Sequence, residues 1–179
     1  SEGARPRMLG KRPFDIAAAS AAALVFAVSM LLIALLVRMT SKGPAIHWSE
    51  RVGRASKLFW MPKFRTMLSD TPDAATHLLQ NPQQWITPLG RILRKTSLDE
   101  LPQLWSVLRG DMSIVGPRPA LHNQDDLIKL RHDRGVDALL PGITGWAQIN
   151  GRDELPIPQK VALDAQYLTQ RSMIFDLKI

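Results

Sequence analysis

Residues 16–37 form a run of 22 residues without a single charged side chain. As a helix this run would measure about 33 Å, enough to cross the hydrocarbon core of a membrane. A cleaved signal peptide has a shorter apolar region and a small-residue cleavage site, whereas this run is followed by Arg38 and Lys42. A buried core helix stays open, because residues 17–23 are rich in alanine. We predict an N-terminal membrane segment.

Basic residues flank this segment on both sides, namely Arg5, Arg7, Lys11 and Arg12 before it and Arg38, Lys42, Arg51, Arg54 and Lys57 after it. Such residues most often stay on the cytoplasmic side, next to anionic headgroups. Two basic flanks therefore predict a re-entrant helix, which enters the membrane and returns to the same side. The run has no proline or glycine at which to turn, and Ser20 and Ser29 are its only polar residues.

The composition narrows the classes of partner. The net charge of +7 suits anionic lipid, phosphorylated small molecules or nucleic acid. No helix-turn-helix, zinc-finger or aromatic RNA-binding pattern accompanies the charge, so we expect no nucleic-acid partner. The absence of cysteine excludes disulfides and thiolate zinc sites, and the four histidines show no metal-binding spacing.

The rest of the chain is mainly helical in its patterns, with one strand pair. Residues 45–52 and 58–67 have strand-like composition, and residues 53–56 join them into a predicted β-hairpin. Lys63 and Arg65 share one face of the second strand. Helices are predicted over residues 70–80, 88–94, 121–133 and 159–169, with a one-faced helix that ends at Gly110 and a loop over residues 141–146.

Residues 97–119 contain the acidic and cationic groups that phosphoryl chemistry needs. Asp99 and Glu100 open the helix that ends at Gly110. Ser97 and Glu100 also fit a capping box, so the carboxylates have a structural as well as a catalytic interpretation. With Asp99 as the cap instead, the following proline falls among residues whose N–H groups lack an intrahelical partner. In both cases the helix N-terminus stabilises a carboxylate that can serve as nucleophile or metal ligand.

Arg118 lies between Pro117 and Pro119, whose rings fix the backbone on both sides of it. An arginine held in this way loses little entropy when it binds a phosphate. A stiff loop with a solvated charge is the alternative. Asp111 follows a glycine and suits a turn.

Several motifs occur together in this chain. They are Lys11-Arg12 with Phe14-Asp15, and residues 63–67, 97–104, 110–113, 115–119, 141–148 and 150–152. On these motifs the chain resembles the bacterial sugar transferases called small monotopic phosphoglycosyl transferases, from Lys11 to Ile179.

The resemblance implies an enzyme at the cytoplasmic face of the bacterial inner membrane. Such enzymes transfer a phospho-sugar from a UDP-sugar to polyprenol phosphate, and release UMP. This step initiates lipid-linked glycan assembly for O-antigen, capsule or glycoprotein. By this likeness Asp99 attacks the β-phosphate to form a covalent phospho-sugar intermediate, and Glu100 orients the site or moves protons. Mg²⁺ is the implied cofactor, with Asp99 as its ligand.

The resemblance also implies substrate contacts. Arg118 is expected to bind the diphosphate or the uridine side, and the other expected contacts are Lys63, Arg65, Asp111, Gly116, Pro117 and Arg152. Residues 122–130 are similar to those of members that act on N-acetylated sugars, so such a UDP-sugar is expected. Met- and Leu-rich faces without an assigned role leave room for a homodimer. The alternative is a non-catalytic, basic membrane-anchored scaffold or lipid-binding protein.

One departure from the family pattern concerns the membrane helix. Family members often break it at a Ser-Pro pair, where this chain has Ala27 and Val28. The two basic flanks still favour the re-entrant form. The predicted fold class is a mainly α monotopic membrane protein with a small β-hairpin, an N-terminal re-entrant membrane helix and interfacial amphipathic helices. Residues 1–40 form the basic tail and membrane helix, and residues 41–179 the catalytic domain.

Overall fold

A computed structural model describes residues 8–74, 76–151 and 154–179. The α-helices are α1 (Lys11–Thr40), α2 (Pro88–Thr96), α3 (Gln103–Arg109), α4 (Asp125–Asp133), α5 (Trp146–Ile149), α6 (Ile157–Gln170) and α7 (Met173–Lys178). The strands are β1 (Ile46–Val52), β2 (Leu58–Phe64), β3 (Ser113–Val115), β4 (Ala120–Leu121) and β5 (Gly142–Thr144). The fold is mainly helical, as predicted, and it has two small sheets among the described residues.

The strands form two sheets. β1 and β2 pair antiparallel as a hairpin in which Ser49 lies opposite Met61, and β4 pairs with the other edge of β1. The predicted hairpin is confirmed, although β2 ends at Phe64. β3 and β5 pair in parallel. Since side chains alternate along a strand, His47, Arg51 and Lys63 share the face of the hairpin that carries buried Met61.

Two predicted elements are wrong. The helix expected over residues 70–80 is replaced, in its described part, by one 3₁₀ turn at Thr76–Leu78. The Thr71 hydroxyl donates to the carbonyl of Leu68, a local bond that competes with helix formation. The loop expected over residues 141–146 contains β5 and the start of α5, because its pairing partner β3 lies far away in sequence.

α1 packs against the remainder of the protein near both of its ends. Ala19 lies in a buried cluster with Met61 and residues of α3, and Val37 lies in a second cluster with Phe64. Between these contacts every residue from 24 to 29 is exposed. Among the described residues, α1 is the one helix long and apolar enough to cross a membrane. Its exposed, apolar middle is consistent with a membrane anchor.

Polar contacts fix the start of α1 to the domain. Lys11 forms an ion pair with Asp176, whose carboxylate is buried. Asp15 is also buried and accepts a 2.7 Å hydrogen bond from the Ser113 hydroxyl. Arg12 donates to two carbonyls in the last turn of α3, where a cation also complements the helix dipole.

Candidate active site

Asp99 lies in the 3₁₀ turn Leu98–Glu100, which connects α2 to α3. Leu98 and Leu101 on either side of it pack against the cluster that contains Phe64. These apolar neighbours press the turn against the domain and leave the Asp99 side chain only 6% exposed. The carboxylate is therefore placed by packing, in a position largely withdrawn from water.

Neither of the capping arrangements that the sequence suggests is formed. Ser97 has a left-handed backbone with φ of 58°, and its side chain caps no helix. It ends α2 instead, since its N–H donates to the carbonyl of Arg94 at 3.2 Å. α3 begins only after Pro102, which takes the N-cap position without a side-chain hydrogen bond. A proline in place of a capping residue frees Asp99 and Glu100 from a structural role at a helix start.

Three cations act electrostatically on the Asp99 carboxylate, and they come from three parts of the chain. Lys63 comes from β2, Arg94 from α2, and Arg118 from the segment between β3 and β4. Burial, the largest influence, raises the pKa of Asp99, Lys63 lowers it, the neighbouring Glu100 raises it, and the two arginines lower it. None of the side-chain hydrogen bonds among the described residues engages Asp99, so its oxygens remain available to a ligand.

The same surroundings lower the pKa of Lys63. Burial, followed by the positive charges of Arg51, Arg94 and Arg118, lowers its pKa to about 8, while Asp99 acts to raise it. A positive site in which a lysine titrates near neutral pH favours a highly charged anion such as a diphosphate.

Glu100 and Arg118 form an ion pair with a distance of 3.1 Å between the Glu100 Oε1 and the Arg118 Nη1. Both side chains are partly exposed. Arg118 therefore lies at the rim of the site, within reach of solvent and of an incoming substrate, whereas Asp99 lies below it.

Arg94 is a residue of this group that the sequence did not single out. Its Nε donates to the Thr66 hydroxyl at 2.9 Å, and both of its terminal nitrogens lie 3.3 Å from the Thr76 hydroxyl. Gly90 lets α2 approach this closely, since a Cβ there would lie 2.1 Å from the carbonyl oxygen of Thr66. The spacing of Arg91 and Arg94 on one side of α2 is the sequence signal, but it does not say what that side faces.

Arg65 takes a different position from Lys63. It follows the end of β2, is buried, and donates to the carbonyls of Pro44 at 2.7 Å and of Ser41 and Gly43 at 3.2 Å. Its guanidinium holds the loop after α1 through these three bonds.

The remaining predicted contacts are Asp111, Gly116, Pro117 and Arg152. Asp111 is in the turn after α3, where it pairs with Arg109 at 3.4 Å. Gly116 packs closely against the backbone at Leu140, since a Cβ at position 116 would lie 2.4 Å from the Leu140 carbonyl oxygen. Pro117 accepts a hydrogen bond from the N–H of Gly142 at 2.9 Å. Arg152 lies outside the described residues.

The carboxylates of the site are the groups that a divalent cation would bind. In the described parts of the chain no group of three or more His, Asp or Glu side chains converges. Mg²⁺ commonly binds through one or two carboxylates together with substrate phosphates and water. Asp99, which is free of hydrogen bonds to the described side chains, fits a Mg²⁺ ion that arrives with a diphosphate.

Comparison with known proteins places the chain in a family. Residues 6–179 match the family model described as Bacterial sugar transferase. The chain belongs to this family, which confirms the family and the transferase class predicted from its motifs.

Relatives with assigned names are similar along nearly the whole chain. The exopolysaccharide production protein ExoY of Rhizobium meliloti (strain 1021) is 40% identical, with 96% of this chain and 82% of the relative covered. The UDP-glucose:undecaprenyl-phosphate glucose-1-phosphate transferase of Caulobacter vibrioides is 40% identical, over 99% of this chain and 70% of the relative. The protein of the same name in Escherichia coli K12 is 42% identical, over 94% of this chain but only 38% of the relative.

Proposed function

We propose that this protein transfers a sugar phosphate from a UDP-sugar to undecaprenyl phosphate, or a similar polyprenol phosphate, and so initiates the assembly of a lipid-linked polysaccharide. The observation that carries the proposal is the buried Asp99 carboxylate under the influence of the positive charges of Lys63, Arg94 and Arg118. Membership of the sugar transferase family and the names of its relatives support the choice of substrates.

In the first step, an oxygen of Asp99 attacks the β-phosphorus of the UDP-sugar. The bond between that phosphorus and the bridging oxygen breaks, UMP leaves, and the phospho-sugar is held on Asp99 as an acyl phosphate. A carboxylate nucleophile divides one difficult transfer into two easier ones. Burial that raises the pKa of Asp99 makes its anion more basic, and the surrounding cations stabilise charge on the transferred phosphoryl group.

In the second step, a phosphate oxygen of the polyprenol phosphate attacks the same phosphorus. The bond to Asp99 breaks, the carboxylate is regenerated, and the diphosphate-linked sugar remains on the lipid. Arg118, which pairs with Glu100 at the rim, is placed to hold either phosphate as it enters. Glu100 thereby restrains Arg118 when no substrate is bound.

Mg²⁺ is the proposed cofactor, with Asp99 as its ligand from the protein. When bound it would neutralise negative charge on the diphosphate. Lys63 and Arg118 share that role from the protein side, and they would hold the substrate against the carboxylate.

The mode of membrane attachment is proposed from α1. Both of its ends pack on the same domain, through Ala19 and through Val37, while the middle is apolar and exposed on every side. A helix that crossed the membrane would carry its two ends to opposite sides, away from a shared partner. We therefore propose a monotopic arrangement at the cytoplasmic face of the inner membrane, with residues 41–179 as the catalytic domain. Because α1 is one continuous helix from Lys11 to Thr40, a re-entrant path through the membrane stays a prediction.

The test is UMP release by detergent-solubilised protein with Mg²⁺, polyprenol phosphate and a panel of UDP-sugars. We expect UMP with at least one sugar and none from Asp99→Asn. Two relatives named above act on UDP-glucose by name; an N-acetylated sugar stays a prediction that the same panel decides. If no sugar yields UMP, or Asp99→Asn is as active as the wild type, the non-catalytic scaffold or lipid-binding function replaces the proposal.

A further inference from the structure

A buried ion pair connects α4 to α6 behind the segment that carries Arg118. Arg131 is 8% exposed and Asp164 is 2% exposed. The Asp164 Oδ2 accepts from the Arg131 Nε at 3.0 Å and lies 2.9 Å from the Arg131 Nη2. Burial raises the pKa of Asp164 in spite of Arg131, so the desolvation cost of this carboxylate outweighs the attraction of its partner. A buried pair of this kind is weak evidence for a purely stabilising role.

The third nitrogen of Arg131 points to a different role. Its Nη1 donates to the backbone carbonyl of Arg118 at 2.7 Å. That carbonyl lies between Pro117 and Pro119, which have no N–H groups and cannot anchor the segment as donors. The two prolines can therefore form backbone hydrogen bonds only through their carbonyls.

Each carbonyl of this segment accepts from a different part of the fold. Pro117 accepts from the Gly142 N–H at 2.9 Å, Arg118 from Arg131 at 2.7 Å, and Pro119 from the Arg51 Nη1 at 3.1 Å. Arg131, which is buried, and Arg51, which is partly buried, thus fix the backbone of this segment. From that backbone the Arg118 guanidinium reaches Glu100.

We infer that Arg131, oriented by the buried Asp164, is a positioning residue that sets the place of Arg118 in the active site. Arg131 does not touch the substrate. It fixes the Arg118 backbone, and the side chain of Arg118 acts on the phosphates. A misplacement of about 1 Å at a reacting centre can cost 100-fold in rate, so the contribution is measurable in turnover. The inference rests on the proposed function for its kinetic test and on geometry alone for the second test below.

The kinetic test is a double-mutant cycle between Arg131→Met and Arg118→Met. In the wild-type background we expect Arg131→Met to lower kcat/KM by about 10- to 100-fold. In the Arg118→Met background the same change should cost less than about 3-fold, because the side chain through which Arg131 acts is gone. Equal losses in both backgrounds would overturn the inference.

Leu127→Ala is the matched control for lost stability. Leu127 lies one turn before Arg131 on α4 and is buried in the adjoining cluster, but it makes none of the hydrogen bonds to the segment. It should lower the melting temperature at least as much as Arg131→Met and leave kcat/KM at low temperature within about 3-fold of the wild type. A loss of turnover as large as that of Arg131→Met would reduce Arg131 to a stabilising role.

Amide hydrogen exchange tests the inference without any turnover. The Gly142 N–H is protected by its bond to Pro117, so loosening the segment exposes it. Arg131→Met should speed exchange at Gly142 by about 10-fold or more over Leu127→Ala. Equal exchange in the two variants overturns the positioning role. If the wild type releases no UMP with any sugar, the proposed function fails, and this measurement still decides on Arg131.

Discussion

Lys63 is the side chain of the site whose charge changes closest to neutral pH, with a pKa of about 8. It is cationic below that pH and loses its charge above it. If this charge holds the diphosphate, kcat/KM should fall as the pH rises through about 8. Lys63→Arg keeps its charge throughout this range, since arginine does not deprotonate in proteins, and should remove the alkaline decline. The measurement is kcat/KM between pH 6 and about 9.5 for both proteins.

Lys63→Met is the control for the pH profiles of the wild type and Lys63→Arg. Lys63→Met, which is neutral at every pH, should be weakly active and flat across the alkaline range. An alkaline decline that persists unchanged in Lys63→Arg would assign the titration to another group.

We expect the ionised side chain of Asp99 to lower the free energy of unfolding of the protein. Burial raises its pKa in the folded protein above the ordinary value of about 3.9. The folded state then binds more protons than the unfolded state between these two values, so stability falls as the pH rises through that interval. At neutral pH the full cost is present. Asp99→Asn should therefore melt at a higher temperature than the wild type while it abolishes UMP release.

Melting in metal-free buffer at neutral pH and near pH 4 checks this sign. The stabilisation by Asp99→Asn should be larger at neutral pH, because the wild-type carboxylate is ionised there. A variant that melts lower than the wild type at neutral pH would mean that the surrounding cations outweigh the cost of burial.

Some of the charged residues of the candidate active site were predictable from the sequence. Asp99 and Glu100 were predicted as site residues because they are two adjacent carboxylates, and Arg118 because it lies between two prolines. Arg94 was missed, since its role depends on α2 packing against Thr66 and a local pattern does not contain that contact. Arg65 lies one residue beyond Phe64, where β2 ends, and its role as a substrate contact stays a prediction.

At the scale of elements, α1 carries the clearest prediction. The chain has no cysteine, so single introduced cysteines can be labelled without background. Leu9→Cys lies before α1 and Lys42→Cys after it, and both positions are exposed. In oriented membrane vesicles a re-entrant helix leaves both cysteines reactive toward an impermeant maleimide from the cytoplasmic face only. Reaction of the two cysteines from opposite faces would establish a spanning helix.

Elements with strong local signals were predictable, and those that depend on distant partners were not. The hairpin of β1 and β2 follows from two stretches of strand-like composition and a short connection. β5 has three residues and is defined by its parallel pairing with β3, so no periodicity could reveal it. The turn that holds Asp99 was mistaken for a helix start because Ser97 and Glu100 have capping-box spacing, whereas Pro102 delays α3.

At the scale of the whole molecule, the site is assembled from separate parts that α1 and the core hold together. Phe64 at the end of β2 packs in the cluster that also receives Val37 of α1 and the leucines beside Asp99. The long apolar helix α1 and the turn that carries the Asp99 carboxylate therefore share one core. If α1 enters the membrane and Asp99 is the nucleophile, as proposed, this shared core keeps Asp99 near the bilayer, where a lipid acceptor would meet it.

The central claim, that Asp99 carries the phospho-sugar, is tested most directly by the mass of the intact protein. The wild type is incubated with Mg²⁺ and its UDP-sugar in the absence of polyprenol phosphate, quenched in acid, and mapped by peptide mass spectrometry. The account predicts an increase equal to one sugar phosphate on the peptide that contains Asp99, lost on addition of polyprenol phosphate and absent from Asp99→Asn. UMP release with acceptor present but no adduct at Asp99 under any quench would contradict it and indicate direct transfer between the two substrates.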